Sequence, residues 1–557
     1  MITKLKLKFG ATPESENLEL TTTPVTVFVG PNNSGKSKIL NEILYYCREG
    51  QKNAQDVILD DIEFQNMNIE FGNIALSRLK RKPFPQESIQ PGNIIVGNYS
   101  ERTQISEQGF LSFFNNPNEQ RYNFCHFFLR YSSLFLDGQN RMQLINHQQA
   151  GDLQAPPVNS LALLFRDDNK REEVRRILYD AFKRYFVIDP TELGTLKMKF
   201  SNVEPENDIQ ERGIHKDAVD FHSQGQEITN LSDGVKAFTG IITQVVAGDP
   251  SVLMIDEPEA FLHPSLSFKL GKEISSSAAN SNKNIFVSTH SANFIMGCIQ
   301  SGVPVNIVRL TYLHGVPTAR ILPSENLLKL MRNPLLRSTG VIEGLFYESV
   351  IVTESDSDRA FYQEINERLL KFMPNSGIPN CLFINAQNKQ TVHHIIRPLR
   401  ELGIPAATIV DIDVIKEGGT VWANFLKGGY VPEISYDSLG NMRGTIKRKF
   451  DELGINMKTQ GGISTLPPDV REAADNFLNQ IAEYGLFVIK NGELESWLKE
   501  LEVTGHGSKW LIDIFEKMGE NPDSEEYLKP TEVDVWYFMK TIGEWLLEPN
   551  RKGIPKD

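Results

Sequence analysis

The chain has 557 residues, more than one ordinary hydrophobic core serves, so two or more domains are expected. Hydrophobic residues make up 40% and charged residues 23%, a globular balance that excludes disordered and fibrous classes. A net charge of −13 neither favours nor excludes nucleic acid, because it says nothing of how charge is distributed.

No run of about 18 apolar residues is present, so no membrane span is expected. The opening MITKLKLKFG lacks an apolar stretch behind its basic residues, so no secretory signal is expected either. Cys47, Cys125, Cys298 and Cys381 are too scattered for a CxxC zinc site or a disulfide framework, which points to the reducing cytoplasm.

Taken in chain order, Ile2 to Phe9 alternates apolar and basic residues, the pattern of an exposed edge strand. Val25 to Val29 is a second strand. It runs into Gly30-Pro-Asn-Asn33-Ser34-Gly35-Lys36-Ser37, which fits G-x-x-x-x-G-K-[ST], and then into a helix to about Tyr46. The glycines let backbone N–H groups and the helix N-terminus face phosphates. Lys36 would reach the β and γ phosphates, and the Ser37 hydroxyl would hold Mg²⁺.

Residues 50 to 220 are irregular, with helical spacing over Asn169 to Tyr185 and a basic cluster at Arg78, Lys80, Arg81 and Lys82. Strands return at Val252 to Ile255 and Ile285 to Ser288. The first ends in Asp256-Glu257, where Asp256 would hold Mg²⁺ and Glu257 would polarise water. The second leads to His290. A connector punctuated by proline spans about 316–345.

Strand-helix alternation restarts at Ser349 to Thr353, followed by Glu354-Ser355-Asp356-Ser357-Asp358. Ala406 to Val410 ends in Asp411-Ile412-Asp413. If strand geometry persists there, Asp411 and Asp413 point the same way. A Glu at one strand end and Asp-x-Asp at its neighbour make an oxygen cage for Mg²⁺ or Mn²⁺. Phe487 to Lys490 is a further strand before Glu493-Leu-Glu495. A second basic cluster, Arg443, Lys447, Arg448 and Lys449, lies between.

The first half resembles an ABC-type ATPase. Leu231-Ser232-Asp233-Gly234-Val235-Lys236 is similar to the ABC signature, which in that superfamily contacts the γ-phosphate held by the opposite protomer. His290 resembles the switch histidine. His263, among prolines, suits a simple loop as well.

Residues 346 to 500 resemble a TOPRIM domain, with Ser355 where many such domains carry Gly. The order of the two halves resembles the OLD (overcoming lysogenization defect) family. That resemblance implies an α/β chain with an ABC-type P-loop ATPase domain at 1–315, carrying a helical dimerisation insertion at about 110–220. A connector at 316–345 would follow, then a Rossmann-like TOPRIM nuclease domain with a C-terminal helical extension at 346–557.

The same resemblance implies ATP and Mg²⁺, with Mn²⁺ as an alternative at the nuclease site. It assigns nuclease roles to Glu354, Asp358, Asp411, Asp413 and Glu495, and a charge-stabilising role to a late lysine, Lys529 or else Lys540. Its implied partners are DNA, a second copy of the chain or a higher homo-oligomer, and a helicase-like protein or a retron reverse transcriptase with its DNA. The implied role is anti-phage defence. The rival readings are an SMC- or RecF-like ATP-driven DNA-binding protein without nuclease activity, and a topoisomerase or primase.

Overall fold

The computed structural model describes the chain apart from residues 99–100, 153, 156, 248–249, 280, 282, 314, 335–339 and 556–557. It divides into two compact units, Met1–Leu328 and Lys329–Asp557. Among the described residues no helix is long and apolar enough to cross a membrane. All four cysteines are free.

The first unit is built on a six-stranded sheet. Its order is Val316–Leu322, Val305–Leu313, Val25–Val29, Asn284–Ser288, Val252–Asp256 and Ser133–Leu136. All neighbours are parallel except the outer pair, Val305–Leu313 with Val316–Leu322. The central strands read as apolar runs because both faces are covered, and every residue of Val25–Val29 is buried. Parallel pairing brings the C-terminal ends of Val25–Val29, Val252–Asp256 and Asn284–Ser288 to one edge. The phosphate-loop turn and the Asp256-Glu257 pair therefore meet there.

Three expectations for this unit change. Ile2–Leu7 is no edge strand, since it pairs with both Glu19–Thr21 and Leu59–Phe64 in a three-stranded antiparallel sheet. Ile2, Leu5 and Leu7 are buried, while Lys4 and Lys6 reach carboxylates on the flanking strands, Lys4 to Glu19 at 3.0 Å and Lys6 to Glu63 at 2.9 Å. The alternation reflected cross-strand charge pairs on a middle strand.

The 110–220 stretch is not simply a helical insertion. Ser133–Leu136 is a strand of the central sheet, in register with Val252–Ile255. Tyr185–Asp189 and Thr195–Ser201 form an antiparallel hairpin beside the helix Asp168–Phe182. Short apolar strands and buried helix segments share a composition, and only pairing separates them. Buried Arg171 and Arg175 from that helix both bind Glu211, which gives this region a paired ionic core. Within the expected 316–345 connector, 316–322 is the outer strand of the sheet, because Val305–Leu313 leaves an edge for it. Residues 335–339 of that connector lie outside the described residues.

The second unit has a four-stranded, all-parallel sheet in the order Cys381–Asn385, Ser349–Thr353, Ala406–Asp411, Leu486–Ile489. Helices cross between its strands, as parallel connections require. The helix Asp356–Phe372 packs against Gly507–Met518 and Asp534–Leu547, with Trp510 and Trp536 buried between. Trp497 donates its indole N–H to the Tyr362 hydroxyl at 2.9 Å, so that buried polar pair is satisfied. Arg400 is fully buried without a carboxylate and donates to the carbonyls of Ala406, Gly429 and Gly553. It ties the sheet to the last residues of the chain.

Candidate nucleotide site and acidic centre

In the first unit the loop after Val29 needs glycine at two places. Gly30 has φ +145°, and a Cβ there would lie 2.0 Å from the Leu310 carbonyl oxygen. Gly35 has φ +95° and would bring a Cβ to 2.5 Å from Ile58 Cδ1. Asn33 also has positive φ, a conformation its short amide tolerates.

The loop delivers Lys36 to the first turn of the helix Lys36–Glu49. Its Nζ donates to the carbonyls of Gly30 at 3.0 Å and Pro31 at 2.7 Å. Burial pulls its pKa down to about 8, against the pull of Glu257, Asp256 and Glu259. The Ser34 hydroxyl is buried without a hydrogen-bond partner, a polar atom facing a loop shaped for phosphate. Ser37 donates to Asp256 Oδ1 at 2.8 Å, and Ser288 donates to the same oxygen. Strand, loop and helix thus bring Gly30, Asn33, Ser34, Gly35, Lys36, Ser37 and Asp256 together.

Glu257 sits in the left-handed region at φ +49° and its side chain is half exposed. His290 Nε2 lies 3.8 Å from its Oε1. Burial lowers the His290 pKa, and the Lys36 charge adds to this against the pull of Asp256. Ser232 is exposed at the start of the helix Asp233–Ala247, and Gly234 lies against the backbone of Phe261, where a Cβ would stand 2.7 Å from its carbonyl oxygen. His263 is exposed and within 3.1 Å of the Ser265 hydroxyl, a loop contact.

Two residues here were given no role from sequence. Glu259, partly buried, accepts the His290 backbone N–H at 2.7 Å and anchors that turn. Arg141 is 1% exposed and donates to the backbone carbonyls of Asp256, Glu257 and Asp137. An isolated arginine in an irregular stretch carries no motif, so no signal could have singled it out.

In the second unit Glu354 follows the strand Ser349–Thr353, and Asp411 ends Ala406–Asp411 beside it. The Asp411 N–H donates to Glu354 Oε1 at 2.9 Å. Carboxylate oxygens of Glu354, Asp411 and Asp413 lie within 4.8 Å of one another. The strand stops at Asp411, however, and Asp413 belongs to the 3₁₀ turn Ile412–Lys416. The two aspartates converge through that turn and not through an i, i+2 strand relation.

Burial, with the charge of Asp411, pushes the Glu354 pKa up to about 8. Burial likewise raises Asp411 to about 7, although Lys458 opposes it. Asp413 Oδ1 is buried without a hydrogen-bond partner. Crowded carboxylates, an orphaned oxygen and an all-oxygen donor set fit a hard divalent cation.

Asp358 stands outside this trio. It forms a capping box with Ser355, its Oδ2 accepting from the Ser355 hydroxyl at 2.6 Å and from the Ser355 N–H at 2.9 Å. Ser355 has φ −129°, so this turn needs no glycine, and the hydroxyl caps the helix in its place. Glu495 belongs to a second group with Glu493 and His506. Its Oε1 lies 2.7 Å from His506 Nδ1 and accepts from the Gly507 N–H at 2.8 Å.

The structure does not bring Lys529 to either group. Its Nζ lies over the Phe372 ring, 5.7 Å from the centroid, and Phe372 ends the helix that starts at Asp356 beside Glu354. At 1.5 Å per residue that helix separates them by about 24 Å. Lys540 lies in the helix Asp534–Leu547 and is not among the cations that pair with these carboxylates within the described residues. The lysines at the carboxylates are Lys458, 2.9 Å from Asp411 and 3.5 Å from Glu493, and Lys389, 2.8 Å from Asp413. Sequence reasoning passed over both, because a lysine in a loop is ordinarily solvated.

Comparisons agree with the two-unit division. A family model described as AAA domain, putative AbiEii toxin, Type IV TA system, matches residues 139–296. One described as Overcoming lysogenization defect protein-like, TOPRIM domain, matches residues 345–413. No curated protein matches the chain. Among solved structures, the SMC head bound to the C-winged helix domain of ScpA is 14% identical, with 59% of this chain and 99% of that chain covered and a TM-score of 0.32. The SMC head domain from Thermotoga maritima is 14% identical, covers 58% and 99%, and has a TM-score of 0.29. The order of the two matches, an AAA domain and then an Overcoming lysogenization defect protein-like TOPRIM domain, is that of an OLD-family architecture.

Proposed function

We propose that the protein is an ATP-regulated, divalent-metal-dependent DNA endonuclease. The observation that carries this reading is the convergence of Glu354, Asp411 and Asp413 at the C-terminal edge of a parallel sheet. Glu354, Asp411 and Asp413 would hold one cation, and Glu495, with Glu493, a second. Bound there, Mg²⁺ or Mn²⁺ would supply Lewis-acid stabilisation of the charge on a scissile phosphodiester.

The chain's own residues do the rest. Lys458 and Lys389 offset the repulsion among the carboxylates and keep them assembled. The Asp358 capping box fixes the helix beside Glu354. An oxygen of Glu354 not taken up by the cation could accept a proton from water.

In the ATPase half, Lys36 would turn from the loop carbonyls to the β and γ phosphates. Ser37 and Asp256 would hold Mg²⁺ with the nucleotide, and Glu257 would orient water. Exposure of Ser232 supports a composite site with a second copy of the chain. ATP binding would then bias the heads between two arrangements and so gate cleavage. A role in anti-phage defence rests on the family resemblance.

Purified protein should nick plasmid DNA with Mg²⁺ or Mn²⁺ and not with excess chelator. Unaltered nicking in both Glu354→Ala and Asp411→Ala would remove the nuclease reading.

A further inference from the structure

Glu257 is held at an uncommon backbone conformation. Its φ of +49° lies in the left-handed region, which is unfavourable for a residue bearing a Cβ, so surrounding contacts must hold it there. Its N–H donates to the Ser288 carbonyl at 2.9 Å. The carbonyls on either side of it go to one side chain: Arg141 Nη2 donates to the Asp256 oxygen at 3.0 Å and Nη1 to the Glu257 oxygen at 2.8 Å. The third guanidinium nitrogen, Nε, donates to the Asp137 carbonyl at 2.9 Å, just past the strand Ser133–Leu136.

We infer that Arg141 is a positioning residue for ATP hydrolysis: its guanidinium fixes both peptide planes of Glu257 and so aims the carboxylate, while its backbone seats the helix that starts behind Ser232. This rests on the proposed role of Glu257. Arg141 is 1% exposed and cannot touch nucleotide, so it acts only through that turn. A planar fork with several donors suits two neighbouring carbonyls, a task that a lysine ammonium does poorly.

The second link runs through Gly240, on the helix Asp233–Ala247. A Cβ there would stand 2.9 Å from the Arg141 carbonyl oxygen, so the helix packs directly on the Arg141 backbone. A shift of that helix, which begins at exposed Asp233 directly after exposed Ser232, would pass through Arg141 to Glu257.

The test uses the full chain with Arg141→Lys, Gly240→Ala and Glu257→Gln, reading ATP turnover, affinity for a fluorescent ATP analogue, and amide exchange over residues 256–261. Arg141→Lys should lower kcat at least about tenfold and leave analogue affinity within about threefold, with faster exchange in that segment. Gly240→Ala should give the same split more mildly, and it decides the matter if Arg141→Lys does not fold. Unchanged kcat, or kcat and affinity falling in parallel, would overturn the inference. Glu257→Gln hydrolysing ATP like the wild type would instead remove the role of Glu257. The exchange data would still show whether Arg141 holds the turn.

Discussion

The N–H of Asp411 donates a 2.9 Å hydrogen bond to Glu354 Oε1, joining carboxyl-bearing residues 57 positions apart. This bond sets the end of one parallel strand against the end of its neighbour. It fixes the spacing of two groups that would repel each other when both are ionised.

That spacing predicts the effect of neutral isosteres. Glu354→Gln keeps an oxygen for the Asp411 N–H and removes a charge. Cleavage should fall at least about a hundredfold, while the metal-free protein melts at an equal or higher temperature. Thermal unfolding with and without Mn²⁺, beside a nicking assay, checks both halves. A variant that melts lower and cleaves normally would contradict the arrangement.

The pH dependence follows with a definite sign. The folded pKa of Glu354 is raised to about 8 and that of Asp411 to about 7, above their ordinary values of 4.5 and 3.8. Their contribution to metal-free stability is therefore fully present below those ordinary values and is lost as pH rises through about 7 to 8. Protons also compete with cations for the same oxygens. The melting-temperature gain on adding Mg²⁺ or Mn²⁺ should grow between pH 5.5 and 8.5, as a thermal-shift series would show. A gain that is flat or shrinks with pH would count against metal binding by these residues.

Lysine substitutions separate two positions that look alike in sequence. Lys458→Ala leaves Asp411 and Glu493 without their shared cation, and cleavage should drop about tenfold or more. Lys529→Ala, about 24 Å along the helix from Glu354, should leave cleavage within about twofold. Side-by-side plasmid nicking rates decide this, and the reverse ranking would reject the placement.

In the ATPase half, Lys36→Ala should abolish nucleotide binding. Glu257→Gln should keep binding and lose turnover by about a hundredfold or more. Cleavage by both variants, with and without ATP, tests gating. The same cleavage rate throughout would leave the two halves functionally independent.

The C-terminal helices are an integral part of the second unit's core. Trp536 is buried against the helix that follows Glu354, and Trp536→Ala should cost about 3–5 kcal/mol. Denaturant unfolding of this variant measures the loss.

Much of this molecule is local in the chain. The phosphate loop, the Asp256-Glu257 pair and the Glu354 and Asp411-x-Asp413 motifs each lie within a few residues at a strand end. Turn chemistry and strand polarity make such groups readable from the sequence. The Ser355–Asp358 capping box is local too, although the family resemblance assigns Asp358 a nuclease role.

Other features depend on pairing between distant segments. Ile2–Leu7 has the alternation of an edge strand and becomes a middle one only because Glu19–Thr21 and Leu59–Phe64 close on either side. Ser133–Leu136 joins the central sheet through Val252–Ile255, more than a hundred residues away. Arg141 and Lys458 acquire partners in the same way, and Lys529 loses its candidacy because a rigid helix carries it away. The sequence by itself determined which chemical groups stand at the strand ends, because strand, turn and helix signals act over a few residues. Only the tertiary structure decided which cations face those groups, because a side chain's partners are set by packing between segments and leave no periodic trace along the chain.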